Sequence, residues 1–159
     1  MIKNGDAIPP MKLTAATADG PKELSTDEVF GGKKVVLFAV PGAFTPTCSA
    51  RHMPGYLQNM EALRAKGVDT IACIAVNDVF VMDAWAKELG VDGRITMLAD
   101  GSAAFTKALG LELDLTARGL GIRSQRYSMV VENGRVTHLA VEPPGGFEVS
   151  KAESVLAVL

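Results

Sequence analysis

The alternation of short apolar runs with segments of helical periodicity constrains the fold of this chain more than any other feature. The runs VVLFAV (residues 35–40) and TIACIAV (residues 70–76) are almost continuously apolar, which is typical of strands covered on both faces of a sheet. Each run is followed by a segment, 47–66 and 79–89, in which apolar residues recur at helical spacing. Repeated strand–helix units predict an α/β protein.

The later part of the chain extends this pattern and adds a hairpin. Asn133-Gly134 lies between two β-rich runs, 127–132 and 135–141, and a two-residue Asn-Gly loop is the strongest local hairpin signal. Similar patterns predict four more features: a strand over 95–98, a helix over 102–109 ended by Gly110, a turn at 143–146, and a terminal helix over 151–158 capped by Ser150. We therefore expect a mixed central sheet flanked by helices, with a C-terminal hairpin and a terminal helix.

The ends of the two longer helices carry their own signals. Asn77 and Asp78 both stand where a side chain can cap the helix over 79–89. Gly67 is suited to end the helix over 47–66, and Pro54 is expected to kink or interrupt it.

Composition excludes several classes of protein. The length of 159 residues and the 48% hydrophobic content fit one domain spanning 1–159. A net charge of −2 gives no basic footprint for nucleic acid or anionic lipid. The longest apolar run is far shorter than the ~20 residues of a membrane span, and the start MIKNGDAIPP contains no apolar segment of the signal-peptide type. We expect a cytoplasmic protein without membrane or nucleic-acid partners.

Cys48 is the residue that points most directly to chemistry. The segment PGAFTPTC (residues 41–48) joins the end of a buried strand to the start of a helix, and sites in α/β proteins are built at this edge of the sheet. Unpaired backbone N–H groups and the helix dipole stabilise a thiolate in the first turn. The alternative is an inert buried cysteine.

The pattern P-x-x-x-T-x-x-C after a buried strand is similar to the active-site signature of the peroxiredoxins. The longer strings VPGAFTPTCSARHMPGY, VND at 76–78 and RYSMVVENG at 126–134 resemble the type-five (atypical) subfamily. The opening GDAIP and the late VEPPGGFEV extend the similarity over nearly the whole chain. This resemblance implies a thioredoxin-like fold and the activity of a thiol-dependent peroxidase, which needs no bound cofactor or metal.

The resemblance also implies roles for individual residues. Cys48 would be the peroxidatic cysteine, whose thiolate attacks one peroxide oxygen, expels water or an alcohol and becomes a sulfenic acid. Thr45, Pro41 and an arginine complete the family site, and Gly42 belongs with them to the peroxide-binding loop. Arg126 matches the family arginine because it directly precedes the strand YSMVV, whereas Arg123 and Arg118 are rivals on charge alone.

Three of these side chains have a second interpretation. Thr45 is also suited to be a helix N-cap, and a surface salt bridge is the usual role of an arginine such as Arg126. His52 lies four residues after Cys48, so the two could share a helix face. It would then orient the site or support the thiolate; otherwise it is an ordinary surface or capping histidine.

Cys73 lies in the middle of an apolar run and is predicted to be structural. Many type-five peroxiredoxins carry a resolving cysteine near the C-terminus, but residues 147–150 of this chain contain none. From this departure from the family pattern we infer a one-cysteine cycle in which an outside thiol reduces Cys48, with glutathione and glutaredoxin preferred and thioredoxin as the alternative. Family members usually form homodimers through the active-site side.

Two other enzyme classes and a metal site lack the residues that they need, whereas a non-enzymatic redox protein would use the same oxidation of Cys48. A thioredoxin-like disulfide reductase needs C-x-x-C, and the equivalent pair here is Thr45 and Cys48. A cysteine hydrolase would need His52 or His138 as its base, and the cysteines and histidines show no metal-ligand spacing. A redox sensor or thiol-dependent chaperone would use the same oxidation of Cys48, so the sequence leaves that alternative open.

Overall fold

A computed structural model describes residues 1–159 and contains one seven-stranded sheet, one two-stranded sheet and six α-helices. The strands are β1 (Lys12–Thr17), β2 (Gly20–Ser25), β3 (Lys34–Val40), β4 (Thr70–Ala75), β5 (Thr96–Ala99), β6 (Glu112–Leu115), β7 (Gly121–Ser124), β8 (Tyr127–Glu132) and β9 (Arg135–Val141). The helices are α1 (Thr26–Phe30), α2 (Met53–Gln58), α3 (Met60–Ala65), α4 (Val79–Glu88), α5 (Ala104–Leu109) and α6 (Ala152–Leu156), with a π-helical turn at Cys48–His52 and a 3₁₀ turn at Thr116–Arg118. None of these helices is long and apolar enough to cross a membrane.

The large sheet is mixed, as predicted, and has the order β2-β1-β5-β4-β3-β8-β9. Strands β3, β4 and β5 are parallel, whereas β3 pairs with β8 in antiparallel fashion and the hairpins β1–β2 and β8–β9 form the two sides. Because the carboxyl ends of parallel strands meet at one edge, the loops that follow β3, β4 and β5 are neighbours.

Strand β3 lies in the middle of this sheet because both of its faces are apolar. Residues 35–40 have no exposed surface. Val36, Phe38 and Val40 belong to a core with α2, α3, α4 and α6, and the alternate residues belong to a second core with α1 and α5. Burial of each large apolar side chain stabilises the fold by about 1.5–3 kcal/mol. The run is therefore most stable between two layers of helices, where both of its faces are buried.

The predicted strands and the C-terminal hairpin are confirmed, with strand ends that agree to within one residue. Asn133 and Gly134 have φ values of 46° and 77°, as a type I′ loop requires. Asp78 caps α4, since its Oδ1 accepts from the N–H of Val81 at 2.9 Å. Gly67 follows the end of α3 with a φ of 89°, the left-handed conformation expected after a helix.

The helix predicted over 47–66 is divided into three pieces. Pro54 has no N–H to donate, and the turn before it is π-helical, with the Met53 N–H bonded to the carbonyl of Cys48. A second break falls at Asn59, whose side-chain Nδ2 donates to the Gly55 carbonyl at 2.7 Å. The predicted interruption is therefore confirmed, and the second break was not predicted.

The prediction that Ser150 caps the terminal helix is wrong. Helix α6 begins two residues later, and its N-cap position is Lys151, which makes no side-chain cap bond. The Ser150 hydroxyl donates instead to Glu142 at 2.7 Å. A buried carboxylate acceptor competes successfully with the backbone of the helix for this hydroxyl.

Two hairpins lie outside the sequence-based prediction. Strands β1 and β2 form one side of the large sheet, and β6 and β7 form the two-stranded sheet. Three of the six residues of β2 and two of the four in β6 are exposed, and β7 is partly buried apart from the buried Ser124. Strands of this kind carry no continuous apolar run, so their pattern resembles that of a loop.

A glycine-to-alanine pair tests the hairpin geometry. Gly134→Ala is expected to lower the free energy of unfolding by about 1–2 kcal/mol, because a Cβ is disfavoured at its positive φ. Gly55→Ala is the matched control: it lies inside α2, and a Cβ there meets open space. Urea denaturation should show a loss for Gly134→Ala alone, and equal losses would contradict the type I′ assignment.

Candidate active site

The start of the helix after β3 is held by side chains from two neighbouring elements. Asn77 follows β4, and its Oδ1 accepts from the N–H of Ala43 at 2.9 Å. Trp85 of α4 donates from Nε1 to the Ser49 hydroxyl at 2.9 Å. Cys48 lies between these two anchors, so its position is fixed by the loop edge of the parallel strands. From the sequence, Asn77 was assigned only a possible role as a helix cap. An Asn before a helix is expected to cap it, and nothing in the local sequence shows that its side chain instead bonds a distant loop.

The sulfur of Cys48 receives contacts from two of the predicted site residues. The Thr45 Oγ1 lies 2.8 Å from Sγ, and the Arg126 Nη2 donates to Sγ at 3.0 Å. Hydrogen bonds between a charged donor and an anionic acceptor are about twice as strong as neutral ones. The structure therefore brings a hydroxyl and a guanidinium from residues that lie about half the chain apart onto one sulfur atom.

The Thr45 hydroxyl has two partners and one proton. Its Oγ1 also lies 2.7 Å from the Gly42 carbonyl, which can only accept. In the thiol form, Thr45 donates to Gly42 and accepts from the S–H; in the thiolate form, it donates to the sulfur. The N-cap interpretation of Thr45 does not hold, because this hydroxyl contacts no backbone N–H of the helix. The Cys48 N–H has no partner in the loop and can donate to a bound molecule.

Of the three candidate arginines, only Arg126 reaches the sulfur. Arg123 donates to the carbonyls of Leu120, at 2.8 Å, and Pro41, at 3.3 Å, so it supports the loop from outside. Arg118 is exposed on the 3₁₀ turn. No carboxylate lies within salt-bridge distance of Arg126, which excludes the surface salt bridge.

His52 is fully buried, which excludes the surface interpretation. Its Nδ1 lies 2.7 Å from Arg126 Nη1, and its Nε2 lies 3.1 Å from the Ser150 carbonyl. A guanidinium only donates and a carbonyl only accepts. The ring must therefore be neutral, with its proton on Nε2.

Burial is the main reason for the neutral state of His52. It lowers the pKa of the ring to about 3, with a further contribution from the positive charge of Arg126; the Ser150 carbonyl and Glu142 act in the opposite direction. An aromatic wall surrounds the ring: the His52 centroid lies 4.9 Å from that of Phe38 and 5.1 Å from that of Phe147.

Three residues behind His52 (Tyr56, Glu142 and Ser150) were not predicted from the sequence to belong to the site. The Oε2 of Glu142 accepts from the Ser150 N–H, the Ser150 hydroxyl and the Glu148 N–H, at 2.7–2.8 Å. Burial raises the pKa of the Glu142 carboxyl, but these hydrogen bonds outweigh burial and hold the pKa below its usual value. The Tyr56 hydroxyl donates to the same Ser150 carbonyl at 2.7 Å.

A cavity of about 130 Å³ adjoins this cluster. Pro41, Thr47, Gln125 and Arg126 form one part of its wall, and Glu142 with residues 143–146 forms another part. A water molecule takes about 30 Å³ in the liquid, so a peroxide of few atoms fits. Cys48 has no exposed surface, and a peroxide in this cavity meets Arg126 before it meets the sulfur.

The backbone of the loop beneath the sulfur is closely packed. Gly42 is buried, and a Cβ at this position would lie 2.6 Å from the Arg123 guanidinium and 3.3 Å from the Thr45 methyl group. The absence of a side chain at Gly42 thus allows both neighbours to approach. Pro41 lies on the cavity wall, next to Gly42.

Cys73 is buried in the middle of β4, as predicted. Burial raises the pKa of its thiol well above the ordinary value, and the nearby Cys48 adds to this effect. A neutral, buried thiol is a poor nucleophile.

A cysteine that follows a central strand defines a class of protein when its sulfur contacts a hydroxyl and a guanidinium that has no carboxylate partner, and when a small cavity adjoins that guanidinium. On a mixed sheet with helices on both faces, this is the class of thiol-dependent peroxidases with a thioredoxin-like fold.

Comparisons with known proteins agree with this class. The Redoxin family model matches residues 3–156. Peroxiredoxin-2C of Oryza sativa subsp. japonica is 50% identical over 98% of this chain and 96% of its own. Reduced Prx3 from Vibrio vulnificus, solved in complex with H2O2, is 54% identical with a TM-score of 0.95 and 99% coverage of both chains. Peroxiredoxin 5 from Alvinella pompejana is 38% identical with a TM-score of 0.87 and coverage of 99% and 97%.

The chain therefore belongs to the peroxiredoxins of the Redoxin family. It has their thioredoxin-like fold, it is an oxidoreductase that reduces peroxide through a cysteine, and it takes its electrons from a thiol reductant.

The neutral state of His52 predicts how stability depends on pH. Its pKa of about 3 in the folded state lies below the ordinary 6.5 of the unfolded chain, so the unfolded chain binds more protons between these values. Stability must fall as the pH is lowered through 6.5. Between about pH 7 and about pH 5, the contribution of His52 to this loss is about 2 kcal/mol.

Urea denaturation of three proteins at both pH values measures this contribution. The loss of stability on acidification should be about 2 kcal/mol smaller in His52→Asn than in the wild type. His138→Gln removes the only other histidine and should behave like the wild type. The same acid-induced loss in all three proteins would mean that His52 takes up its proton without unfolding.

Proposed function

We propose that Cys48 is the peroxidatic cysteine and that Thr45 and Arg126 bind the peroxide during its attack. The observation that carries this proposal is the pair of contacts on one sulfur, 2.8 Å from Thr45 and 3.0 Å from Arg126. The Cys48 thiolate donates an electron pair to one oxygen of ROOH, and the O–O bond breaks. The sulfur becomes a sulfenic acid, and the leaving oxygen takes a proton to give water or an alcohol.

Holding the peroxide matters more in this proposal than making the thiolate abundant. Lowering the pKa of a thiol from ~8.5 to ~6 raises the thiolate fraction at neutral pH roughly thirtyfold, but intrinsic nucleophilicity then falls roughly tenfold. Each fixed donor on the departing oxygen can contribute roughly 3 kcal/mol. Arg126 and the free N–H of Cys48 are such donors. The Thr45 hydroxyl accepts from the peroxide while it donates its one proton to its neighbour, and Pro41 and Gly42 shape the loop that presents these groups.

The proposed substrates are hydrogen peroxide and organic hydroperoxides of modest size. The small cavity beside Arg126 supports this range, since its walls are mostly polar groups, prolines and glycines.

The proposed cycle uses one cysteine. Cys73 is fully buried in β4, and residues 147–150 contain no cysteine. An outside thiol, RSH, attacks the sulfenic acid to give a mixed disulfide and water; a second thiol releases Cys48 as the thiol and leaves as part of a disulfide. Glutathione with glutaredoxin is the preferred reductant, and thioredoxin is the alternative.

The finer classification is part of the same proposal. The quoted motifs and the likeness to peroxiredoxin 5 from Alvinella pompejana support membership of the type-five subfamily. Phe44 and Phe80 support a homodimer through the active-site side, because they expose 53% and 71% of their surface beside the Cys48 loop and at the start of α4. A cycle that consumes free thiols fits the reducing cytoplasm.

Cysteine variants test the proposed cycle. Cys48→Ser is expected to lose all peroxide consumption with excess glutathione and glutaredoxin, while Cys73→Ser retains it, because only the sulfur on Arg126 is oxidised. Persistent turnover in Cys48→Ser would end the assignment. A single stoichiometric turnover in the wild type would favour a redox sensor, and a Cys48–Cys73 disulfide in the oxidised protein would overturn the one-cysteine cycle.

An arginine pair separates peroxide binding from thiolate formation. Arg126→Ala is expected to slow oxidation of Cys48 by roughly 100-fold, because a fixed donor on the reacting oxygen is lost. Rapid mixing with peroxide measures this rate, and the ultraviolet absorbance of the thiolate measures ionisation, which should change far less. Exposed Arg118→Ala is the control and should match the wild type. Equal losses in rate and in thiolate fraction would show that Arg126 acts on the sulfur alone.

A further inference from the structure

Segment 142–150 holds Arg126 at two places: at its main chain directly, and at its guanidinium through His52. The main-chain carbonyl of Arg126 accepts from the Glu142 N–H at 2.9 Å. The side chain of Arg126 is held through His52, whose Nε2–H donates to the Ser150 carbonyl at 3.1 Å. Glu142, at one end of this segment, thus fixes the main chain of Arg126, and Ser150, at the other end, fixes its guanidinium through His52.

The far end of this chain of contacts is itself anchored. The Glu142 carboxylate accepts from both the N–H and the hydroxyl of Ser150, so the Ser150 carbonyl is fixed in direction. Tyr56 donates to the same carbonyl at 2.7 Å, and its ring is stacked on Phe38 of β3 with a centroid distance of 4.0 Å. A hydrogen-bonded path therefore connects Glu142 with the Cys48 sulfur through Ser150, His52 and Arg126.

The partner of Arg126 in this path is neutral, and this has a chemical consequence. A carboxylate in the place of His52 would hold the guanidinium as well, but it would also neutralise its charge. The Nδ1 lone pair of a neutral imidazole fixes Nη1 and leaves the positive charge of the delocalised guanidinium uncompensated, while Nη2 points at the sulfur. Orientation is thereby obtained without loss of the charge that peroxide reduction uses.

We propose that His52, Ser150 and Glu142 are positioning residues, through which segment 142–150 aims the Arg126 guanidinium at Cys48. This inference rests on the proposed role of Arg126. Residues 142–146 form part of the cavity wall beside Arg126, whereas Ser150 and His52 do not line the cavity and act through Arg126.

Two substitutions of His52 separate its two hydrogen bonds. The oxygen of Asn occupies roughly the place of Nδ1, so His52→Asn keeps the acceptor for Arg126 and loses the bond to Ser150. Gln places its polar group near Nε2, so His52→Gln keeps the bond to Ser150 and loses the acceptor. Oxidation of Cys48 should slow by about tenfold or more in His52→Gln and clearly less in His52→Asn, because one well-placed hydrogen bond is worth about a factor of ten.

A second pair of variants tests the anchor. Glu142→Gln retains an oxygen for the three donors and should keep most of the rate, whereas Glu142→Ala releases Ser150 and should lose about tenfold. Asp100→Ala is the matched control, since Asp100 is equally buried and also accepts from two N–H groups and a hydroxyl, but has no contact with His52 or Arg126. It should lower stability and leave the oxidation rate near that of the wild type.

Oxidation is followed in stopped flow by the fluorescence of Trp85, the only tryptophan, which donates to Ser49 next to Cys48. The proposal is supported if His52→Gln is slower than His52→Asn and Glu142→Ala is slower than Asp100→Ala. It is wrong if the two His52 variants have equal rates, or if Glu142→Ala merely follows Asp100→Ala. Every variant retains Cys48 and Arg126, so a failure here leaves the proposed function intact. That function fails only if Cys48→Ser remains active or Arg126→Ala oxidises normally.

Discussion

The hydrogen bonds that Arg126 and Thr45 direct at the Cys48 sulfur are the interaction on which the rest of the site depends. The sulfur is fully buried, and a buried negative charge is costly unless a partner compensates it. Arg126 supplies that partner at 3.0 Å and has no carboxylate of its own to neutralise it. The sulfur is thereby paired with the same guanidinium that is proposed to bind the peroxide, so the two reacting groups meet at one point.

The fold provides this interaction by bringing distant parts of the chain to one edge of the sheet. Strand β3 lies in the middle of the sheet because both of its faces are apolar. Its carboxyl end is therefore flanked by the carboxyl end of β4 on one side and by the start of β8 on the other. Cys48 follows β3, and Arg126 directly precedes the antiparallel β8. The antiparallel pairing places the start of β8 beside the end of β3. The same pairing therefore brings Arg126 next to the Cys48 loop.

Much of the fold was predictable because its central elements have simple patterns. Continuous apolar runs and the Asn133-Gly134 loop predicted β3, β4, β8 and β9. The peroxiredoxin resemblance pointed to Thr45 through the motif around Cys48, and to Arg126 through its position before the strand YSMVV. The exposed strand β2 was missed because it buries too little to require a pattern. His52 was undecided between two interpretations, and Ser150 was assigned to the wrong partner. Their roles depend on contacts with residues about 8 to 98 positions away, which no local rule of propensity or capping contains.

A crystal structure of Cys48→Ser with hydrogen peroxide bound would show the proposed arrangement directly. One peroxide oxygen should face the serine hydroxyl, with the Arg126 guanidinium and the Thr45 hydroxyl within hydrogen-bond distance of the peroxide. Peroxide bound elsewhere on the protein, or bound beside Ser at this position with Arg126 turned away, would contradict it.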